Sequence, residues 1–139
     1  MSKKNPADRR SECPVNVALE LLGDRWSLLI VRDMMLAGKR HFSQFLQSDE
    51  GIASNILADR LARLEMNGLV RREQSDEDGR RYAYCLTPKG LALAPTLYEL
   101  VIWAADHEQT AASKSEIKRM KTNRAGYLKK LMRRSDVER

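Results

Sequence analysis

The chain has 139 residues, 42% of them hydrophobic and 32% charged, which suits one folded domain with a modest core and excludes a disordered polymer. Its formal net charge of +6 is unevenly spread. Residues 1–109 hold 15 Lys/Arg against 16 Asp/Glu, and residues 110–139 hold 10 against 3, so a nucleic-acid role for the body must rest on where its cations point.

Residues 1–12 read as a polar arm without the apolar segment of a signal peptide. In "CPVNVALELLG", Pro14 suits the first position of a helix and Gly23 its end. Asp24 can then cap "RWSLLIVRDMMLAG", a helix apolar around most of its circumference and therefore central. This is the longest apolar run, and Arg32 and Asp33 break it well short of the roughly 18–20 residues a membrane span needs. A cytoplasmic protein with no membrane contact is expected.

"HFSQFLQSDEG" predicts a short helix presenting Phe42, Phe45 and Leu46, then a turn over Ser48–Gly51. The next helix carries Leu57, Leu61 and Leu64 at i, i+4 and i+7, one apolar stripe, with Asn55, Asp59 and Arg63 broadly opposite, Ser54 and Arg60 on the flanks, and Gly68 as terminator. "LVRREQ" and "RRYAYCL" are strand-like and joined by "SDEDG", where Gly79 is available for positive φ. In the second strand Tyr82, Tyr84 and Leu86 share one face, and Arg81, Ala83 and Cys85 the other. Thr87-Pro88 opens a long helix that Pro95 should kink or interrupt. Residues 113–134 form one basic amphipathic helix in this reading, with Ile117, Met120, Leu128, Leu131 and Met132 on its apolar side.

The fold class expected is mainly α with a small β-hairpin wing. In this reading a winged helix-turn-helix domain spans residues 13–109 and a basic helical extension spans 110–139. The leucine stripe holds the second helix of the motif and frees its other face for a major groove about 12 Å wide. Candidate DNA contacts are Ser43, Ser54, Asn55, Asp59, Arg60 and Arg63, with Arg40 toward the backbone and Arg80 and Arg81 toward the flanking backbone or minor groove. The plain alternative for Arg60 and Arg63 is an ion pair with Asp59 or Glu65.

Two distant cysteines and the isolated His41 and His107 supply neither a disulfide framework nor a zinc site, and no cofactor is expected. No triad order, glycine-rich phosphate loop or paired carboxylates suggest an enzyme. Trp26, Met34, Met35, Tyr98 and Trp103 are either core or the lining of a small-molecule effector pocket.

The segments "CPVNVALELLGDRWSLLIVRDMMLAGKRHFSQF", "GIASNILADRLARLEMNGLVRR" and "YCLTPKG" resemble the HxlR-type branch of the MarR-like winged-helix transcriptional regulators, over about residues 13–108. The resemblance implies a homodimer built on the N-terminal helix and the long helix after the wing. It also implies a pseudo-palindromic promoter operator, with Ser54–Arg63 of each protomer in one major groove. Repression by operator occlusion is expected rather than activation, since no polymerase-contacting region can be read in the sequence. In several members of that family a cysteine at this N-terminal position is a redox or electrophile sensor, which makes Cys13 a candidate; the plain reading, a small half-buried residue beside a helix start at the dimer interface, stands first. Many relatives have a proline-containing wing tip, whereas this one is acidic at Asp76, Glu77 and Asp78. Three readings stay open for the basic tail: packing along the dimer, contact with phosphate, or contact with an anionic surface. A rival account is an architectural protein whose core dimerises and whose tail binds nucleic acid without sequence preference.

Overall fold

The computed structural model describes residues 8–74 and 82–137, with side chains through Arg133. Gly79, Arg80, Arg81 and the acidic wing tip lie outside the described residues. Eight helices and two strands are described: α1 (Pro14–Leu22), α2 (Ser27–Leu36), α3 (Phe42–Phe45), α4 (Ser54–Met66), β1 (Val70–Gln74), β2 (Tyr82–Leu86), α5 (Pro88–Leu91), α6 (Ala94–His107), α7 (Lys114–Thr122) and α8 (Arg124–Val137).

The centre is α2, which contacts α4, α6, α8 and β2. Ile30, Val31, Met34 and Met35 are buried along it, as expected of a helix apolar on most sides. The N-cap position of this helix is Trp26, and Asp24 braces the helix start from two residues upstream. Its Oδ1 accepts the backbone N–H groups of Trp26 and Ser27 at 2.7 and 2.9 Å, so regular helix begins two residues later than the apolar run suggests. The leucine stripe of α4 is fully inward, with Leu57, Leu61 and Leu64 at 0–1% exposure. Burial of each side chain contributes about 1.5–3 kcal/mol, which fixes the rotation of α4 about its axis.

β1 and β2 pair antiparallel in the register Val70 with Leu86 and Gln74 with Tyr82. The segment before α3 adds to this hairpin, because Tyr84 N–H donates to the Arg40 carbonyl at 2.8 Å. Ala83 and Cys85 are buried, and β2 packs against α2.

"TPKG" docks the hairpin onto the end of α4. Thr87 Oγ1 donates to the Gly68 carbonyl at 2.6 Å and Lys89 Nζ to the Asn67 carbonyl at 2.8 Å. Gly68 takes φ +78° to leave the helix. A Cβ at Gly90 would lie 2.2 Å from the Leu69 carbonyl oxygen, so only glycine permits this approach.

Pro95 interrupts the following helix as expected, and α5 and α6 are separate. The C-terminal segment differs from the single helix read from the sequence: it breaks at Asn123, whose Oδ1 accepts the Gly126 N–H at 3.1 Å and starts α8. The two helices fold back on α2 and α6 of the same chain. Ile117 and Met120 pack with Tyr98, and Leu131 enters the main core, while Met132 remains exposed.

Candidate nucleic-acid interface

The outer surface of α4 is small and polar. Ser54, Asn55, Ala58 and Ala62 are exposed, and Asp59 and Arg63 are half-buried. Ala53, the N-cap, has no side-chain acceptor, so no capping group claims the N–H groups of the first turn. Such a terminus attracts phosphate. The sequence reading missed Ala58 and Ala62, which sit between the polar positions and let a groove wall approach closely. Alanine also meets the thymine methyl group well. Their signal was present as small residues at i and i+4 on the face opposite the leucines.

Two charged ties hold this helix. Arg60 is turned inward: its Nε donates to Asp24 Oδ1 at 3.1 Å and its Nη1 to the Asp59 carboxylate. The Arg60 and Asp24 side chains are only 19% and 20% exposed. Burial pushes the Asp24 carboxyl up, but the Ser27 hydroxyl, the Trp26 and Ser27 N–H groups and Arg60 outweigh it and hold it below its ordinary value. Arg63 differs, since no ion pair or side-chain hydrogen bond engages it among the described residues. Glu65, its expected alternative partner, lies 3.7 Å from Arg72 instead.

The second tie fixes the turn before α4. Arg32 grips Glu50 with two hydrogen bonds of 2.8 and 2.9 Å and also holds Asp33 at 2.8 Å. Asp33 is buried, and it accepts the Ser48 hydroxyl with Lys39 Nζ 3.6 Å away. The Arg32 guanidinium draws the Glu50 carboxyl down to about 2. Gly51 then turns into α4 with φ +72°.

Ser43 is exposed on α3, where Gln44 Oε1 accepts the N–H groups of Arg40 and His41 at 2.8 and 2.9 Å. Arg40 is engaged at the wing base. Its Nη2 contacts Cys85 Sγ at 3.0 Å and lies 3.8 Å from Glu73, while its buried Nε has no hydrogen-bond partner. His41 Nδ1 meets the Tyr82 carbonyl at 3.2 Å, and His107 lies against Trp103.

Cys13 is exposed at the N-cap of α1, and the backbone N–H groups of Asn16 and Val15 lower its thiol pKa. Arg10, three residues before Cys13, bonds Asn16 Oδ1 at 2.7 Å through its guanidinium. No residue of α1 is buried, and Val15 and Leu19 are 67% and 54% exposed. On α6, Leu100 and Trp103 are likewise 45% and 62% exposed.

The candidate pocket residues are not gathered around one space. Met34 and Met35 fill the main core, Tyr98 belongs to the second cluster, and Trp103 faces outward. A cavity beside Trp26, bounded also by Ile30, Asp33 and Phe45, measures about 10 Å³, the size of one water. Among the described residues no three His, Cys, Asp or Glu side chains converge as metal ligands, and no helix is long and apolar enough to cross a membrane.

A short helix, a glycine turn, a helix with a free polar face and an antiparallel hairpin define a winged helix-turn-helix of the DNA-binding type. The chain belongs to the HxlR-like helix-turn-helix family, whose profile matches residues 21–112. It is 38% identical over 95 residues to the HTH-type transcriptional regulator YvaP of Bacillus subtilis, covering 68% of this chain and 87% of that protein. It is 36% identical over 93 residues to the HTH-type transcriptional regulator YodB of the same organism, covering 66% and 82%. The reduced form of YodB superimposes with a TM-score of 0.58 over 70% of this chain and 95% of that one, at 34% identity. The redox regulator HypR in its oxidized form gives a TM-score of 0.62 at 28% identity, over 70% and 100%. DNA-binding transcriptional regulation is thus the function of the family to which the chain belongs.

Proposed function

We propose that the chain acts as a homodimeric repressor that reads a pseudo-palindromic operator, with one α4 per half-site. The observation that carries this is the outer face of α4, small and polar from Ser54 to Ala62, backed by a fully buried leucine stripe. Ser54, Asn55 and Arg63 supply base and phosphate contacts, while Arg60 sets the position of the helix. Ser43 contacts the backbone, and the wing, with Arg80 and Arg81, reaches the flanking minor groove. Arg40 and Asp59 shape the surface around these contacts by holding the wing base and Arg60. Dimerisation is supported by the apolar residues left open on α1 and α6, since a helix with no buried residue gains its stability from a partner surface.

The test is selection of bound sequences from random duplex DNA by the full-length protein at about 150 mM salt. An inverted repeat with half-sites about one helical turn apart is expected. Recovery of DNA without a shared motif would reject operator reading.

The same reading gives the dimer a thiol switch. Cys13 lies at a helix N-terminus that favours its thiolate, on the element proposed to dimerise, and the similar proteins HypR and YodB include a redox regulator and a protein studied in reduced and diamide-treated forms. Addition of the thiolate to an electrophile such as diamide would place a new group on the dimer face. Cys13→Ser should bind the operator as wild type does but no longer release it on diamide treatment. Unaltered release in that variant would reject the switch.

A further inference from the structure

The α7–α8 hairpin holds eight cations between Lys114 and Arg133 against one acid, Glu116. It lies beyond residue 112, where the family match ends. It is nonetheless firmly attached. Ile117, Met120 and Leu131 are buried, and the Tyr98 hydroxyl donates to the Met120 carbonyl at 2.9 Å. Lys121 is pinned to Asp106 at 2.9 Å, and Arg124 to Glu99 at 3.4 Å with its guanidinium over the Tyr98 ring.

Six cations remain: Lys114, Lys118, Arg119, Lys129, Lys130 and Arg133. All are exposed, and among the described residues none of their side chains has an ion pair or hydrogen bond. Because the apolar stripe of the hairpin faces α2 and α6, these six are directed outward on a fixed surface rather than along a loose tail. The rest of the chain has a slight acidic excess, so this hairpin supplies the positive field that the body lacks.

We propose that the outward face of α7–α8 is a second DNA-binding surface, which grips the phosphate backbone of duplex DNA without reading sequence. Three observations select this occupant. The apolar side of the hairpin is already covered by its own chain, whereas a helix lying on a membrane needs that side free. The hairpin's only aromatic side chain, Tyr127, packs against Tyr98 with ring centroids 5.8 Å apart, so no platform is left for stacking single-stranded bases. Unpartnered lysines and arginines dispersed over a rigid surface match a lattice of phosphates. The inference rests on the proposed function only in that α4 brings the chain to duplex DNA. The phosphates come either from the flanks of the operator or from a second duplex.

The experiment compares the full-length protein with the quadruple variant Lys118→Gln, Arg119→Gln, Lys129→Gln and Lys130→Gln. Dissociation constants are measured against salt on three duplexes: a minimal operator, the same operator with flanks of about two helical turns, and a random sequence. The variant should match wild type in circular dichroism, in oligomer mass and on the minimal operator. On random duplex its salt slope should fall by about two or more, at roughly 0.9 for each phosphate that is no longer neutralised. An equal fall on the flanked operator identifies the flanks as the phosphate source. Capture of a second labelled duplex by operator-bound wild type, but not by the variant, identifies the other source. Equal salt slopes for the two proteins on random duplex would overturn the proposal, as would an equal fall on the minimal operator. If wild type selected no operator, operator reading would be rejected, while the random-duplex arm would still decide on the hairpin.

Discussion

Replacing Arg60 with alanine separates a positioning role from a reading role. The Arg60 and Asp24 side chains are about four-fifths buried, so solvent screens their bond less than it would a surface pair. A hydrogen bond between charged groups contributes about 1.5–3 kcal/mol. After the substitution Asp24 keeps the Ser27 hydroxyl and two backbone N–H donors, which places the loss near the lower end, about 1–2 kcal/mol. Urea unfolding of Arg60→Ala should show that loss with an unchanged slope in denaturant, and Arg60→Lys should recover only part of it, because one ammonium does not span Asp24 and Asp59 as the planar fork does. A double-mutant cycle with Asp24→Asn should give a coupling of about 1 kcal/mol. Arg63→Ala should do the opposite, leaving stability within about 0.5 kcal/mol of wild type and weakening operator binding. Wild-type stability in Arg60→Ala, together with reduced discrimination at one base pair, would refute the positioning role and make Arg60 a reader.

Gly90→Ala forces a Cβ against the Leu69 carbonyl and should destabilise the fold by about 2 kcal/mol or more, visible as a lower thermal midpoint and a weakened link between wing and α4; a wild-type midpoint would show that this backbone yields. The Glu50 carboxyl is lowered from 4.5 to about 2 by Arg32, so its contribution is present above about 4.5 and is lost as pH falls toward about 2. Unfolding free energy should therefore decline less between those limits in Glu50→Gln than in wild type. The effect is small because the Glu50 side chain is 37% exposed, and parallel curves would remove the tie from the account. Leu19→Glu with Trp103→Glu should convert the proposed dimer to monomer in sedimentation without unfolding the domain, and a dimer that persists in this variant would place the interface elsewhere.

Much of the fold could be read from spacing alone. Leu57, Leu61 and Leu64 announce their buried stripe because a helix repeats every 3.6 residues, and Thr87-Pro88 and Pro95 mark boundaries through the backbone limits of proline. What escaped depended on contacts between distant positions. Arg60 and Asp24 are 36 residues apart, and nothing local distinguishes an arginine that reaches back to a distant carboxylate from one that faces solvent. Cys85 was placed on the same face as Arg81 by alternation, yet it is buried, with the distant Arg40 guanidinium against its Sγ. The break at Asn123 was hidden because the flanking helices keep a similar apolar spacing, and the asparagine acts as a cap only once the chain has turned there. On α4 the polar residues drew attention first, whereas the exposed Ala58 and Ala62 determine how closely that face can be approached.

The open face of α1 bears on the chemistry of Cys13, its N-cap. A nine-residue helix is shorter than the roughly 12–15 residues at which an isolated helix becomes even marginally stable in water. What lowers the Cys13 pKa is the set of N–H groups that this short helix aligns, so fraying α1 would return the thiol toward its ordinary, less ionised state. If α1 is covered in the dimer proposed above, reactivity at Cys13 would follow subunit concentration: dilution that uncovers α1 would slow thiolate chemistry, and assembly would restore it.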